Sequence, residues 1–154
     1  MLLSGLKNWQ QRHEGDCLIA CCKQVLDYLG ISRSEDWLWQ QLRSGEVTPF
    51  PQIEKLADAL GLAINVARQG ELEDLAPYLE AGLPVIVAVD IDDLAYWPHM
   101  GNHAVVIVGF NDESVFVNDP SSLDSAQEID REEFMVAWSY RDFQYAVIRL
   151  VEES

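Results

Sequence analysis

Hydrophobic residues recur at helical spacing in the first part of the chain and as short apolar runs in the second part. Helical spacing extends over residues 17–29, 34–45 and 49–61. In the third segment the apolar positions follow at i, i+3, i+4 and i+7 from Ile53, which places them on one face of a helix. The pattern therefore predicts three consecutive helices, each with an apolar face that must be covered.

The second part of the chain alternates between predicted strands and helices. Runs rich in β-branched and aromatic residues predict strands over 62–67, 84–90, 104–110, 115–117 and 143–151. Helices are predicted over 71–82, where Pro77 either sits in the first turns or breaks the helix, and over 129–138. We expect one α+β domain over residues 1–154, with N-terminal helices packed on an antiparallel sheet.

The charge of the chain changes which partners are plausible. It has 10 Lys+Arg against 26 Asp+Glu, a formal net charge of -16. This balance argues against nucleic acid, whose phosphates require a basic surface, and against an anionic membrane surface. Such a charge serves solubility in most proteins, and it also favours a basic peptide or a basic partner.

The three cysteines, Cys17, Cys21 and Cys22, lie within six residues of one another. No distant cysteine remains to pair with them, so a secreted disulfide framework is not expected. The sequence shows no signal peptide and no run of roughly 18 apolar residues that would span a membrane. We therefore expect a reduced, cytoplasmic protein. Cys17 and Cys21 stand one helical turn apart, but no second cluster completes a zinc site, and no cofactor is expected.

Cys17 occupies a position that suits a nucleophile. It follows Asp16, a candidate N-cap, and opens the first predicted helix, where unpaired backbone N–H groups and the helix dipole favour a thiolate. Gln11 lies six residues earlier in the chain. Its side-chain amide, folded back over the helix start, could donate to an oxyanion together with the Cys17 backbone N–H.

A predicted hairpin carries an ionisable group at each open end, His103 before its first strand and Asp119 after its second. An odd-length turn centred near Asp112 would pair positions whose numbers sum to about 224, so that Asp119 faces residue 105. His103 would then lie on the same face within side-chain reach of Asp119. An even turn would separate the two groups unless a β-bulge intervened. With the first register, a thiol, a base and an orienting acid can meet.

These residues carry a family resemblance. The segments QRHEGDCLIACC and NHAVVIVGFNDESVFVNDP, at residues 11–22 and 102–120, resemble papain-like cysteine peptidases. Within that fold they are most similar to the bacteriocin-processing, double-glycine-leader peptidases, here in a stand-alone form without a transporter. The resemblance covers nearly the whole chain. Together the two motifs are specific for this family, whereas either motif alone would be weak evidence.

The resemblance implies roles for particular residues. Cys17 would be the nucleophile, His103 the general base and acid, Asp119 the residue that orients His103, and Gln11 an oxyanion donor. The family usually has glycine after the nucleophile, whereas this chain has Leu18, which would either narrow the approach of substrate or pack beneath the helix. Further substrate-binding candidates before and beside the histidine are Tyr96, Trp97 and Asn102.

Three functions remain compatible with these residues. The first is a cysteine endopeptidase that cleaves a peptide or protein, after small residues such as Gly-Gly if the resemblance extends to substrate. The second is a thiol acyltransferase or isopeptidase, which would share the acyl-enzyme. The third is a non-catalytic peptide-binding module. The sequence leaves open the substrate, the oligomeric state and whether a partner or a lid activates the site.

Overall fold

The computed structural model of the protein describes residues 2–10, 16–43, 48–90, 102–120 and 126–151. Within these ranges five α-helices and one 3₁₀ helix surround a six-stranded sheet. The helices are α1 Cys17–Tyr28, α2 Glu35–Leu42, the 3₁₀ helix Phe50–Glu54, α3 Lys55–Leu60, α4 Leu72–Glu80 and α5 Arg131–Ser139. No helix in the described ranges is long and apolar enough to cross a membrane.

Every pairing in the sheet is antiparallel, and the strand order is β1-β6-β2-β3-β4-β5. The strands are β1 Leu62–Ala67, β2 Val85–Asp90, β3 Asn102–Phe110, β4 Ser114–Asn118, β5 Gln127–Asp130 and β6 Tyr145–Leu150. Strands β2 and β3 are central and buried on both faces, which explains their nearly continuous apolar sequences. The predicted α+β class with helices on an antiparallel sheet is confirmed.

Helices cover both faces of the sheet. Alternate residues of the strands contribute to two separate apolar clusters. One cluster joins the sheet to α1, α2, the 3₁₀ helix and α3. The other joins it to α4 and α5. The N-terminal helices thus form one layer, as predicted, and the two later helices form a second layer that closes the opposite face.

Helix α1 is buried on nearly all sides, unlike the one-sided helix that its sequence pattern predicted. Leu3 and Leu6, in the N-terminal segment, pack against the same cluster as α1 and help to enclose it. Asp16 is its N-cap residue but accepts no hydrogen bond from the first turn. Its Oδ1 instead lies 3.4 Å from Nη1 of Arg43, at the end of α2, so Asp16 links two helices.

Two predicted helices differ from the observed ones. Pro49 and Pro51 frame a 3₁₀ turn at the start of the third predicted helix, and the α-helical part begins only at Lys55. The last predicted helix begins at Arg131 instead of residue 129, because Gln127–Asp130 form β5 beside β4. Pro77 does not break α4, which continues through it to Glu80.

The β3–β4 hairpin reaches the predicted register by a different route. Its turn is even, since Phe110 pairs with Val115 and these numbers sum to 225. A register shift between Ile107 and Gly109 then places Val106 opposite Asn118, which restores the sum of 224. The odd turn assumed from sequence is therefore wrong, but the bulge gives the register that brings His103 and Asp119 together.

Candidate active site

Cys17 is the first residue of α1, and its side chain is partly exposed. This places the thiol at the end of the helix where backbone N–H groups have no partner within the helix. Most of the following residues of the helix are apolar and buried, so its position is fixed by packing on the sheet and on α2. The thiol therefore stands at the surface on a rigid element.

His103 and Asp119 lie together at the open end of the hairpin. The Nε2 atom of His103 is 2.6 Å from Oδ1 of Asp119. The two side chains are 6% and 0% exposed, so the pair is removed from water. Because Nε2 faces the carboxylate, Nδ1 is the ring nitrogen available to exchange a proton with a thiol.

A side-chain hydrogen bond also joins Cys17 to His103, which completes a connected series from thiol to imidazole to carboxylate. Burial alone lowers the pKa of His103, but the hydrogen bonds to Asp119 and Cys17 and their negative charges outweigh it. The net effect raises the pKa of His103 from 6.5 to about 9. His103 is therefore held as an imidazolium at neutral pH, next to the sulfur.

Cys21 and Cys22 occupy a different environment from Cys17. Both belong to α1 and are fully buried in the core. Burial, and then the neighbouring Cys17, raise the pKa of the Cys22 thiol to about 12. Burial likewise raises the pKa of Cys21, with contributions from Cys17, Cys22 and Asp119. These two thiols are core residues, and among the described residues no cluster of ligands suits a metal ion.

Three linked side-chain amides, two of them buried and one half-buried, lead to the backbone of Asp119, and the sequence motifs did not reveal them. The Asn118 Nδ2 donates to Oε1 of Gln24 at 2.7 Å, and the Gln24 Nε2 donates to Oδ1 of Asn8 at 3.3 Å. The Asn8 Nδ2 then donates to the carbonyl oxygen of Asp119 at 3.0 Å. The only sequence signal for them was a glutamine among the apolar residues of the first helix.

The other predicted site residues are placed as follows. Gln11, Tyr96 and Trp97 lie outside the described residues. Asn102 is the first residue of β3, where it pairs with Asp90. Leu18 is 3% exposed and belongs to the apolar cluster beneath α1, which fits the second of its two expected roles, packing beneath the helix. A side chain on the inner face of a buried helix packs in the core.

Comparison with known proteins gives the family. Residues 5–146 match the model of the Peptidase_C39 like family, which covers most of the chain. The chain belongs to this family. C39 peptidases are cysteine peptidases, and this C39-like protein is accordingly a papain-like cysteine peptidase, a hydrolase. No curated protein matches it in sequence.

Solved structures of C39 peptidases share its fold. A protein described as a C39-like peptidase from Bacillus anthracis has a TM-score of 0.80 at 20% identity, covering 99% of this chain and 98% of the other. The peptidase domain of Streptococcus ComA, a bifunctional ABC transporter in a quorum-sensing pathway, has a TM-score of 0.74 at 19% identity, with coverage of 96% and 100%. A double glycine motif protease from an AMS/PCAT transporter, in complex with its leader peptide, has a TM-score of 0.74 at 20% identity, with coverage of 97% and 94%.

Proposed function

We propose that this protein is a cysteine endopeptidase in which Cys17 is the nucleophile, His103 the proton carrier and Asp119 the residue that orients His103. One observation carries the proposal. Cys17, His103 and Asp119 form a continuous hydrogen-bonded series in which Cys17 is partly exposed and the acid is fully buried. Such a series is the general arrangement of an activated nucleophile, its base and an orienting group.

The proposed reaction begins with a proton on His103 and a negative charge on Cys17. The sulfur attacks the peptide carbonyl carbon and forms a C–S bond, and the carbonyl electrons move to oxygen. The Cys17 backbone N–H, at the helix start, and the Gln11 side-chain amide would bind this oxyanion. As the C–N bond breaks, His103 gives its proton to the leaving amine.

Water completes the cycle. His103, now neutral, removes a proton from a water molecule, which attacks the thioester carbonyl. The C–S bond breaks, the acid product leaves, and the thiolate and imidazolium are restored. Asp119 stabilises the imidazolium at both stages through Nε2, without itself accepting the proton.

The proposed substrate is a peptide segment cleaved after small residues such as Gly-Gly. Two findings support it: the family of the chain, and the leader peptide bound to the related protease of similar fold. The leucine that follows the nucleophile does not argue against it, because Leu18 packs in the core. The net charge of -16 favours peptides with basic residues near the cleavage site.

The first test compares matched cysteine variants. Cys17→Ala should abolish peptide hydrolysis, because the attacking atom is lost. Cys22→Ala is the control, since it makes the same change five residues along the same helix, in the core. It should keep kcat within about twofold while lowering stability by roughly 1 kcal/mol. Turnover is measured by mass spectrometry on two kinds of peptide. One has Gly-Gly immediately before the scissile bond, and the other has large residues there.

The products and the activity of the variants separate the alternatives. Equal cleavage after large residues would refute the preference for small ones. With an added amine, transfer products that outweigh hydrolysis would identify an acyltransferase or isopeptidase. Undiminished biological activity of Cys17→Ala would identify a peptide-binding module.

A further inference from the structure

We propose that Gln24 is a positioning residue for the reaction, which ties the helix of the nucleophile to the backbone that carries the orienting acid. The inference rests on the function proposed above and deepens it. Among the described residues, Gln24 forms no side-chain hydrogen bond with any of the three proposed reacting groups. It acts through its two side-chain hydrogen bonds, to Asn118 and Asn8.

Helix geometry places Gln24 on the correct face of α1. Cys17 and Gln24 are seven residues apart, which is close to two full turns, so their side chains leave the helix in nearly the same direction. Their separation along the axis is about 10 Å. Cys21 lies between them on this face, and the charge of Asp119 contributes to the raised pKa of its thiol. One face of α1 thus meets His103 through its first residue and the Asp119 region through its eighth.

The amide chain closes on itself around Asp119. It runs from the Asn118 side chain through Gln24 and Asn8 to the carbonyl oxygen of Asp119, the next residue after Asn118. The backbone N–H of Ala126 donates to Oδ1 of Asn118 at 2.7 Å. Because Oδ1 faces Ala126, the Nδ2 end of that amide faces Gln24. Each amide therefore donates in the same direction, and reversing any one would set like groups against each other.

This ring controls the backbone from which the Asp119 carboxylate projects. A carboxylate at 0% exposure has no water to replace a lost partner, so its contact with His103 depends on where its backbone is held. Neither Gln24 nor Asn118 is exposed by more than 2%, and hydrogen bonds between buried amides form only in a narrow geometry. An apolar residue at position 24 would pack in the same helix but would leave the Asn118–Asp119 backbone without this anchor.

The test uses Gln24→Met, which keeps the length and approximate volume of the side chain and removes both hydrogen bonds. Asn111→Ala is the control. Oδ1 of Asn111 accepts two hydrogen bonds, from the N–H groups of Glu113 and Ser114, at the far end of the hairpin, roughly 25 Å along β3 from His103. Asn111→Ala should lower the free energy of unfolding about as much as Gln24→Met does, without disturbing the active site.

Two properties are measured for each variant: kcat and KM for peptide cleavage, and the rate of iodoacetamide modification of Cys17 against pH. Gln24→Met should lower kcat by about 10- to 100-fold with KM changed less than about threefold, because orientation is lost but substrate contacts are not. Modification of Cys17 at about pH 6 should slow about tenfold, because an imidazolium without its oriented carboxylate stabilises the thiolate less. Asn111→Ala should match the wild type in both.

A second variant keeps the inference testable if Gln24→Met does not fold. Asn8→Ala removes the hydrogen bond to the Asp119 carbonyl from a half-buried position, so it should shift both measurements in the same direction by a smaller factor. Wild-type rates in folded Gln24→Met, or in Asn8→Ala if only that variant folds, would overturn the inference and leave the proposed function standing. If Cys17 of the wild type reacts no faster than Cys21 and Cys22, the proposed function fails first, and the inference fails with it.

Discussion

His103 is the residue whose charge state sets the pH range of activity. Its pKa is raised to about 9, so the imidazolium that protonates the leaving amine is present below that pH and is lost as the pH rises through it. The alkaline limb of kcat/KM should therefore lie near pH 9 instead of near 6.5. A limb near 6.5 would contradict the buried, carboxylate-bonded geometry of this histidine.

Removing the partner of His103 should change this profile in a defined direction. Asp119→Ala removes a hydrogen bond and a charge that raise the pKa of His103, while the burial that lowers it remains. The alkaline limb should move to lower pH, and kcat should fall by about 10²- to 10⁴-fold, because orientation is lost but the base remains. His103→Ala removes the proton carrier itself and is the reference for complete loss of activity. Normal activity of Asp119→Ala would rule out its proposed role.

The sequence predicted the meeting of Cys17, His103 and Asp119 because each belongs to a local motif with a chemical signature. It did not predict the contribution of Gln24 or Asn8. Those amides contact residues 94 and 111 positions away in the chain, and an isolated glutamine or asparagine carries no local signal of such a partner. Only the packing of α1 against the end of β4 identifies them.

At the scale of elements, the start of α5 offers a test that is independent of the active site. The Asp130 carboxylate accepts hydrogen bonds from the N–H groups of Glu132 and Glu133, and so caps the helix at the end of β5. Asp130→Ala should lower the free energy of unfolding by about 1 kcal/mol, measured by urea denaturation, without changing kcat. Asp130→Asn retains the acceptor oxygen, so its free energy of unfolding should fall much less. An equal fall in both variants would assign the effect to the charge of Asp130.

The same region shows why some elements could not be predicted from periodicity. Gln127–Asp130 has too few residues to display a period of two. Its last two residues were included in the helix predicted over 129–138. It becomes a strand because it pairs with β4, whose outer edge would otherwise have no strand beside it. The bulge in β3 is similar: the flanking sequence is a smooth apolar run, and the register shift arises from pairing with β4 on one side while the ladder to β2 stays regular.

At the scale of the whole molecule, the net charge of -16 should act on substrate capture. For a peptide with two lysines near the cleavage site, kcat/KM should fall several-fold between about 0.05 and 0.5 M NaCl, because salt screens long-range attraction. A peptide with alanines in place of the lysines is the matched control and should show little change. Equal salt responses for both peptides would show that the acidic surface does not select substrates.

The sequence by itself determined the types of most elements, the acidic character of the surface and the residues capable of thiol chemistry. These properties depend on local period, composition and short motifs. The tertiary structure decided which strands are neighbours, how the bulge sets the register, that helices cover both sheet faces, and that Leu18 lies in the core. It also joined Gln24 and Asn8 to the Asp119 backbone. Each of these results from contacts between distant segments, whose geometry is fixed only when the whole chain is packed.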